Sequence, residues 1–586
     1  MKIKSIEITN IKGISNKKFE LHLAPNKPNI LVAPNGYGKS SFATAFDSLK
    51  SSKIVLDDKN YLNNNTANRP ELTLTLSNGK ILSADDNQNT ISSDFDVFVI
   101  NNQTEPKSTV QTFNGYSFAK TTLEIKSTVL VKTIPQKVDF GYSSSSLKSA
   151  FGVNGNRILK NISNLFNSSQ LFYRLETEID FSRFNLKAYR TIIPSQLSSI
   201  NGIDAKGSEI KQWIIENVLT NLDELPEFQK IMNIIASFGF TEIENEADLY
   251  LTTWQVLEIR NSLGANFKKA CKYLFYLAEK QHYKETISSF NPVKDRFDIK
   301  PKEEKNSLIV HWPKAHEISN GQRDILTFIT LLLKSRRDFK KNDCILIIDE
   351  IFDYMDDANL ISFQFYISTF IDEMKRKKRR IFPILLTHLD PLFFNHFCFN
   401  DSKIQVNYLK EINIKSNQNL LKLIYNREDE SIKDNVDAYF FHFHPNNGTI
   451  DLTTEFTDLR LNIDWATPPK FFKKIFREIR RYIFENSRID PIAICFGVRY
   501  QIEKLVYDKI PDTDNKRIFI EETNGTKNKL LFAQSIGIDI PETYFLLGII
   551  YNTSLHLFEG QDISQPLGLK LENETIKRML TNIFVK

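Results

Sequence analysis

The sequence predicts an α/β protein: a mixed sheet with helices, split by a compact helical insert and followed by an α+β segment. Three observations point there. Apolar runs at Asn29–Val32, Cys344–Ile348 and Ile381–Thr387 read as strands, the last two as fully buried parallel ones. A glycine-rich turn joins the first run to a helix start at Ser40. Between about residues 145 and 290 the pattern turns helical and the glycine turns vanish.

In chain order, Ile3–Ile8 alternates polar and apolar residues and reads as a strand, not a signal peptide. Asn29–Val32, the turn Ala33–Lys39 and the helix start Ser40–Leu49 follow. Glu71–Leu76 and Lys80–Ser83 alternate around Asn78-Gly79, a hairpin signal. Asp96–Ile100 is a further strand, and 121–140 reads as extended. Helical stretches come next at Ile158–Phe166, Glu209–Leu219 and Phe267–Ala278, with Pro194, Pro226 and Gly239 as interruptions. No heptad survives three repeats, so the insert is compact and not a coiled-coil arm. Strands return at Phe297–Lys300 and Ser307–Trp312, and a helix starts near Asn320. The expected organisation is an N-terminal lobe over 1–140, a helical insert over 141–294, a C-terminal lobe over 295–415, and an accessory domain over 416–586 mixing strands with amphipathic helices.

Composition narrows the class. A chain of 586 residues suits about four domain-sized units. At 41% hydrophobic and 25% charged it has material for a large core, which excludes wholesale disorder. The net charge of +5, from 76 basic and 71 acidic residues, confines any nucleic-acid contact to local patches. Cys271, Cys344, Cys398 and Cys495 lie far apart without a CxxC pair. That excludes a disulfide framework or zinc ribbon and fits a reducing, cytoplasmic setting. No run of about 18 apolar residues is present, so no transmembrane helix is expected.

Three motifs carry chemistry. Ala33-Pro34-Asn35-Gly36-Tyr37-Gly38-Lys39-Ser40 fits a phosphate-binding loop with Ala33 in place of its first glycine. Gly36 and Gly38 let backbone N–H groups turn toward phosphate oxygens, Lys39 pairs with the β and γ phosphates, and the Ser40 hydroxyl ligates Mg²⁺. Ile345–Glu350 is four apolar residues ending in two acids, suited to placing Asp349 near Mg²⁺ and Glu350 at an attacking water. Ile318–Arg323 puts a Ser before a helix start, an anion-binding N-terminus. Each has a bland reading alone: a chance Gly-Lys-Ser turn, a core strand ending in solvated acids, an ordinary cap.

Together, in this order, they resemble the ABC-type ATPase head in its RecF/SMC-like branch. The loop is similar to Gly-Pro-Asn-Gly-x-Gly-Lys-Ser, and Ile318–Gln322 to the signature Leu-Ser-Gly-Gly-Gln with Asn320 replacing the first Gly. Met355, Asp356 and Asn359 match the D-loop pattern Leu-Asp-x-x-Asn. Leu386-Thr387-His388 ends a strand where the family's switch histidine lies, and Asn10-Ile11-Lys12-Gly13 is similar to the Asn-Phe-Lys-Gly segment of RecF-like proteins. The resemblance covers about 1–140 and 295–410, under half the chain.

It implies ATP and Mg²⁺ as cofactors, held by Asn35, Gly36, Gly38, Lys39, Ser40 and Ser41, with Ser40 and Asp349 on the metal. Glu350 and His388 are the implied catalytic pair, and Gln103 the implied glutamine between loop and signature. Ser319 and Gly321 are implied to contact the γ-phosphate on a second protomer's loop, so that hydrolysis needs a homodimer of heads, and Gln322 and Asp356 are further implied nucleotide-binding residues. Short-armed heads with an appended domain resemble ATPases of anti-phage systems, Septu-type or anticodon-nuclease-type; the C-terminal segment carries no HNH motif and no toprim acidic cluster, so the expected effector, a nuclease or toxin, is a separate protein. The alternative is a RecF/SMC-like DNA repair or DNA-clamping ATPase.

Outside these motifs, Lys470, Lys473, Lys474, Arg477, Arg480 and Arg481 line one face of an amphipathic helix and offer nucleic acid a patch, against the plainer reading of a packed surface helix. His442 and His444 read as strand histidines in preference to metal ligands. Arg499 and His556 read as buried or capping residues in preference to an RNA-cleaving pair.

Overall fold

The computed structural model describes residues 1–101, 104–113, 116–290, 299–314, 317–388, 403–410, 414, 417–485, 488–551 and 564–585. It is α/β throughout its first 410 residues, as the sequence predicts. The chain divides into two compact units: Met1–Ser93 with Phe382–Lys586, and Asp94–Ile381.

The first unit opens with an antiparallel sheet. β1 (Ile3–Ile11) and β2 (Ile14–Leu23) meet at a tight turn, and β1 also pairs β4 (Glu71–Leu76), which pairs β5 (Ile81–Asp85) across Asn78-Gly79. Alternation buries Ile3, Ile6, Ile8 and Ile11 on one side of β1. β3 (Asn29–Val32) is buried at every residue, because parallel neighbours flank it and helices cover parallel sheets. The buried Asn29 side chain is fully occupied: it accepts from Ala24 N at 2.8 Å and donates to Ala24 O, Lys27 O and Pro383 O.

In the second unit β6 (Phe95–Ile100) precedes the long hairpin β7 (Thr104–Phe113) and β8 (Tyr116–Ile125), then β9 (Thr128–Val131). Helices fill Ser144–Ser288 around their own apolar core, which includes Phe172, Ile214, Phe228, Tyr250 and Phe267. β10 (Lys302–Glu304) and β11 (Ser307–Val310) then pair antiparallel, with β11 against β9. The helix Asn320–Asp338 leads to β12 (Asp343–Asp349), which runs parallel to β6. β13 (Arg380–Thr387) and β14 (Gln405–Tyr408) flank β3 in parallel.

Several local expectations are corrected. Pro194 does not interrupt a helix; it sits inside Lys187–Asn201 on the solvent side, where water can serve the carbonyl its missing N–H leaves unpaired. Ile158–Phe166 is not one helix: Gly155–Ile158 and Ser163–Asn167 flank a non-helical stretch. The strand expected at Phe297–Lys300 has residues 297–298 outside the described set, and Ile299 and Lys300 are not in a strand. Most broadly, the described part of 416–586 holds helices and no strand, so it is not α+β. The aromatic run Asp437–Phe441 winds into a π-helical turn that buries Phe440 and Phe441 in the C-terminal core, and burial overrides the β preference of its side chains. His442 and His444 therefore follow a helical turn and do not lie on a strand.

That C-terminal core centres on the helix Pro491–Tyr507 packed against Pro468–Phe484. Gly497 sets their approach: a Cβ there would lie 2.7 Å from Ile479 Cδ1. No helix among the described residues is long and apolar enough to cross a membrane.

Candidate functional site

The phosphate-loop candidate lies between β3 and the helix Lys39–Asp47. Ala33 is fully buried and its N–H donates to Thr387 O at 3.1 Å. It thus continues the ladder between β3 and β13, which explains how alanine replaces glycine there. Gly36 and Gly38 have φ of +79° and +94°, the region that favours glycine. Gly38 caps the helix, and nothing lies within 4 Å of where a Gly36 Cβ would be. The loop thus turns its backbone at two points and leaves room beside it for a ligand.

Lys39 is only 3% exposed, and its ammonium folds back onto the loop. Nζ donates to Ala33 O at 2.7 Å, Pro34 O at 3.1 Å and Asn35 Oδ1 at 3.4 Å. A buried ammonium needs such oxygens. Ser40 is exposed at the first turn. Ser41 is buried and its Oγ accepts from Gly13 N at 3.2 Å, so this hydroxyl ties the helix to the β1–β2 turn. Sequence reasoning missed the surroundings of Tyr37: Lys17 Nζ lies 3.8 Å from its ring centroid and Lys410 Nζ 5.5 Å, with Lys410 paired to Glu572. These partners are far apart in sequence and carry no local signal.

His388 follows β13 and shares with Ala33 and Pro34 a cavity of about 310 Å³. Lys570, Asn573 and Ile576 from the last two helices line it too, contacts no motif foretold.

In the second unit, Asp349 ends β12 and Glu350 follows at φ +54°. That left-handed conformation is costly for a side-chain-bearing residue and marks a strained point at the strand end. Ser319 caps Asn320–Asp338, its side chain accepting from Gln322 N at 3.3 Å. Gly321 and Gln322 stand in that first turn, where four N–H groups have no partner within the helix. Arg323 bridges Asn320 Oδ1 at 3.1 Å and Asp324 Oδ1 at 2.8 Å. Burial raises the Asp324 carboxyl above its usual range, with Arg323 opposing. Asp356 caps the helix Asp357–Arg376 and accepts from Asn359 N and Nδ2 at 2.9 and 3.0 Å. Gln103 lies outside the described residues.

The structure thus brings Asn35, Gly36, Gly38, Lys39, Ser40 and Ser41 into one loop and helix start with His388 nearby. It sets Asp349 and Glu350 at one strand end, and Ser319, Gly321, Gln322 and Asp356 at two helix N-termini. The oxygen donors of Ser40 and Asp349 are of the kind Mg²⁺ takes.

No family model matches the chain, and no curated protein matches it. Among solved structures, it is similar to a Smc head domain with an extended coiled coil bound to the C-terminal domain of ScpA from Pyrococcus furiosus, at 11% identity, covering 67% of this chain and 91% of that one, with a TM-score of 0.24. It is also similar to a Smc head domain with a coiled coil and joint from Pyrococcus yayanosii, at 11% identity, 66% and 92% coverage and a TM-score of 0.24. The recombination mediator protein RecF with ATP aligns at 12% identity, 70% and 98% coverage and a TM-score of 0.20. Superposition at this level bears on neither activity nor partners.

Proposed function

We propose that the chain binds ATP with Mg²⁺ and hydrolyses it, acting as a switch through dimerisation of two such chains. The observation that supports this best is the buried Lys39 ammonium held on loop oxygens at the start of a helix, between two glycines of left-handed φ and an exposed serine. A helix N-terminus favours anions, and a buried lysine adds a full charge beside it. Phosphate oxygens replace the loop oxygens around Nζ, and the backbone N–H groups at Gly36 and Gly38 supply further donors.

The metal, when bound, neutralises charge on the β and γ phosphates, with Ser40 and Asp349 as the residues that hold it. Glu350, at the strained end of β12, polarises the attacking water. His388 senses the γ-phosphate. Ser319, Gly321 and Gln322 turn a helix N-terminus toward nucleotide bound by the partner subunit, with Asp356 beside them in the D-loop. In the reading drawn from the motifs, closure of this dimer controls a separate effector in anti-phage defence.

A second reading, a DNA repair or DNA-clamping ATPase, draws on the helix Pro468–Phe484. Its apolar side is packed at Phe471, Phe472, Ile475 and Ile479, while Lys470, Lys473, Lys474, Arg477 and Arg480 are exposed. Reversing Lys474, Arg477 and Arg481 to Glu weakens nucleic-acid binding and flattens its salt dependence under this reading, and leaves both unchanged under the first.

The test of the switch is ATP turnover per chain against protein concentration. Turnover rises with concentration if sites are shared, and Ser319→Arg blocks hydrolysis while the same chain still binds nucleotide. A concentration-independent rate per chain overturns the shared arrangement.

A further inference from the structure

The C-terminal helices enclose a cavity of about 810 Å³ whose lining includes Tyr439, His442, His444, Arg499, Thr526 and Lys529. Neither the head motifs nor the basic helix accounts for it. Arg499, on Pro491–Tyr507, is 3% exposed. Its Nη2 donates to Tyr551 O at 2.5 Å, but Nε and Nη1 have no hydrogen-bond partner among the described residues. A guanidinium keeps its charge inside a protein, so buried donors of this kind are costly unless something accepts from them.

Glu503, one turn further along the same helix, is not that acceptor. Its carboxylate accepts from His442 Nδ1 at 2.7 Å, Thr526 Oγ1 at 2.6 Å, Phe443 N at 3.0 Å and Lys529 Nζ at 3.2 Å. Those bonds occupy its lone pairs. Lys529 pairs with Glu503 at 3.2 Å, while Arg499 makes no ion pair among the described residues and feels the charges of Glu503 and Asp437 only through space. With Nδ1 of His442 committed, Nε2 is the nitrogen that this ring offers a ligand.

The mouth is different in character. Glu428 is tied to Arg427 and Lys433, each at 3.2 Å, while exposed Asp434, Asp437 and Glu521 also line the opening. A bare polyanion is repelled there. A ligand with one phosphate at its deep end and hydroxyl or amino donors at its outer end suits both parts. The volume is within the range of small-molecule sites.

We infer that this cavity binds one nucleotide-borne phosphate on the Arg499 guanidinium, with the sugar or base donors meeting the carboxylates at the mouth. The phosphate comes from a free mononucleotide or from a nucleic-acid strand, and the inference stands independently of ATP binding at the head.

The experiment uses the full chain carrying Lys39→Ala, so that the head loop does not contribute. Hydrogen exchange is followed in 437–444 and 523–530 with adenosine monophosphate or a short single-stranded oligonucleotide. Slowed exchange with the mononucleotide supports a free nucleotide, and slowed exchange with the oligonucleotide alone supports a strand. Arg499→Lys keeps the charge but loses the fork, and should weaken the effect about tenfold or more. No slowing with either probe at about 10 mM, where a millimolar site is filled, overturns the inference, and so does equal slowing in folded Arg499→Lys. The footprint on the Lys39→Ala chain decides the matter even if Arg499→Lys does not fold.

Discussion

Lys39 and Arg499 are equally buried cations, each 3% exposed, yet they are held in opposite ways. Lys39 finds three oxygens within six residues of itself, so the loop that needs the charge also satisfies it. Arg499 reaches across 52 residues for a single carbonyl, and the carboxylate on its own helix is committed to residues from two other segments. The first arrangement is a local device that a ligand can take over by exchanging one set of oxygens for another. The second is a product of tertiary packing in which charge, fold stability and ligand preference are bound together. Substitutions should therefore separate function from folding in the head and fail to separate them in the C-terminal core.

The largest expected effect tests the first half of that contrast. Glu350→Gln should lower ATP turnover by about 10²–10⁴-fold, the usual worth of a positioned general base. Nucleotide affinity and the unfolding midpoint should stay as in the wild type. Wild-type turnover would show that another residue positions the water.

Glu503→Gln tests the second half. It leaves Lys529, 3% exposed, without its carboxylate, a change that costs about 3–5 kcal/mol when a buried pair is broken. Urea unfolding should shift to a lower midpoint while ATP affinity at the head is unchanged. An unshifted midpoint breaks the comparison.

A smaller effect lies in the pH dependence of the same core. Burial alone would raise Glu503, but His442 and Lys529 beside it and hydrogen bonds from His442 and Thr526 hold its carboxyl well below the usual range. Its contribution is present above the unfolded carboxylate pKa and is lost as pH falls through the depressed folded value. Asp490 has the opposite sign. It caps Pro491–Tyr507, with Oδ1 accepting from Ile492 N at 3.0 Å and Ala493 N at 3.3 Å, yet burial pushes its carboxyl up to about 7. Its contribution is complete below about pH 4, the unfolded value, and is lost as pH rises through about 7. Asn caps a helix as well as Asp does. Asp490→Asn should therefore be near neutral at pH 4 and stabilising by about 2–4 kcal/mol at pH 8. Parallel stability–pH curves for the two proteins would contradict this.

The same contrast explains what the sequence disclosed. β3, β12 and β13 were legible because parallel strands buried on both faces need unbroken apolar runs. The turn from Ala33 to Ser40 was legible because its glycines and the strand and helix start that flank it are contiguous. The Glu503 cluster was not, since His442, Thr526 and Lys529 are 61, 23 and 26 residues away from it and no periodicity links them. The strands expected after residue 416 failed for a related reason: Phe440 and Phe441 suit a sheet locally, but the helices around Pro491–Tyr507 bury them first. The partners of Tyr37, Lys17 and Lys410, likewise emerge only once β1–β2 and β14 are folded around β3.

If the loop around Lys39 binds the phosphates of ATP, calorimetric titration of ATP separates the wild-type chain from Lys39→Ala. The wild type should bind, and the variant should bind at least about hundredfold more weakly, because charge-assisted hydrogen bonds to phosphate are lost with the ammonium. Equal affinity in two equally folded proteins would contradict the assignment.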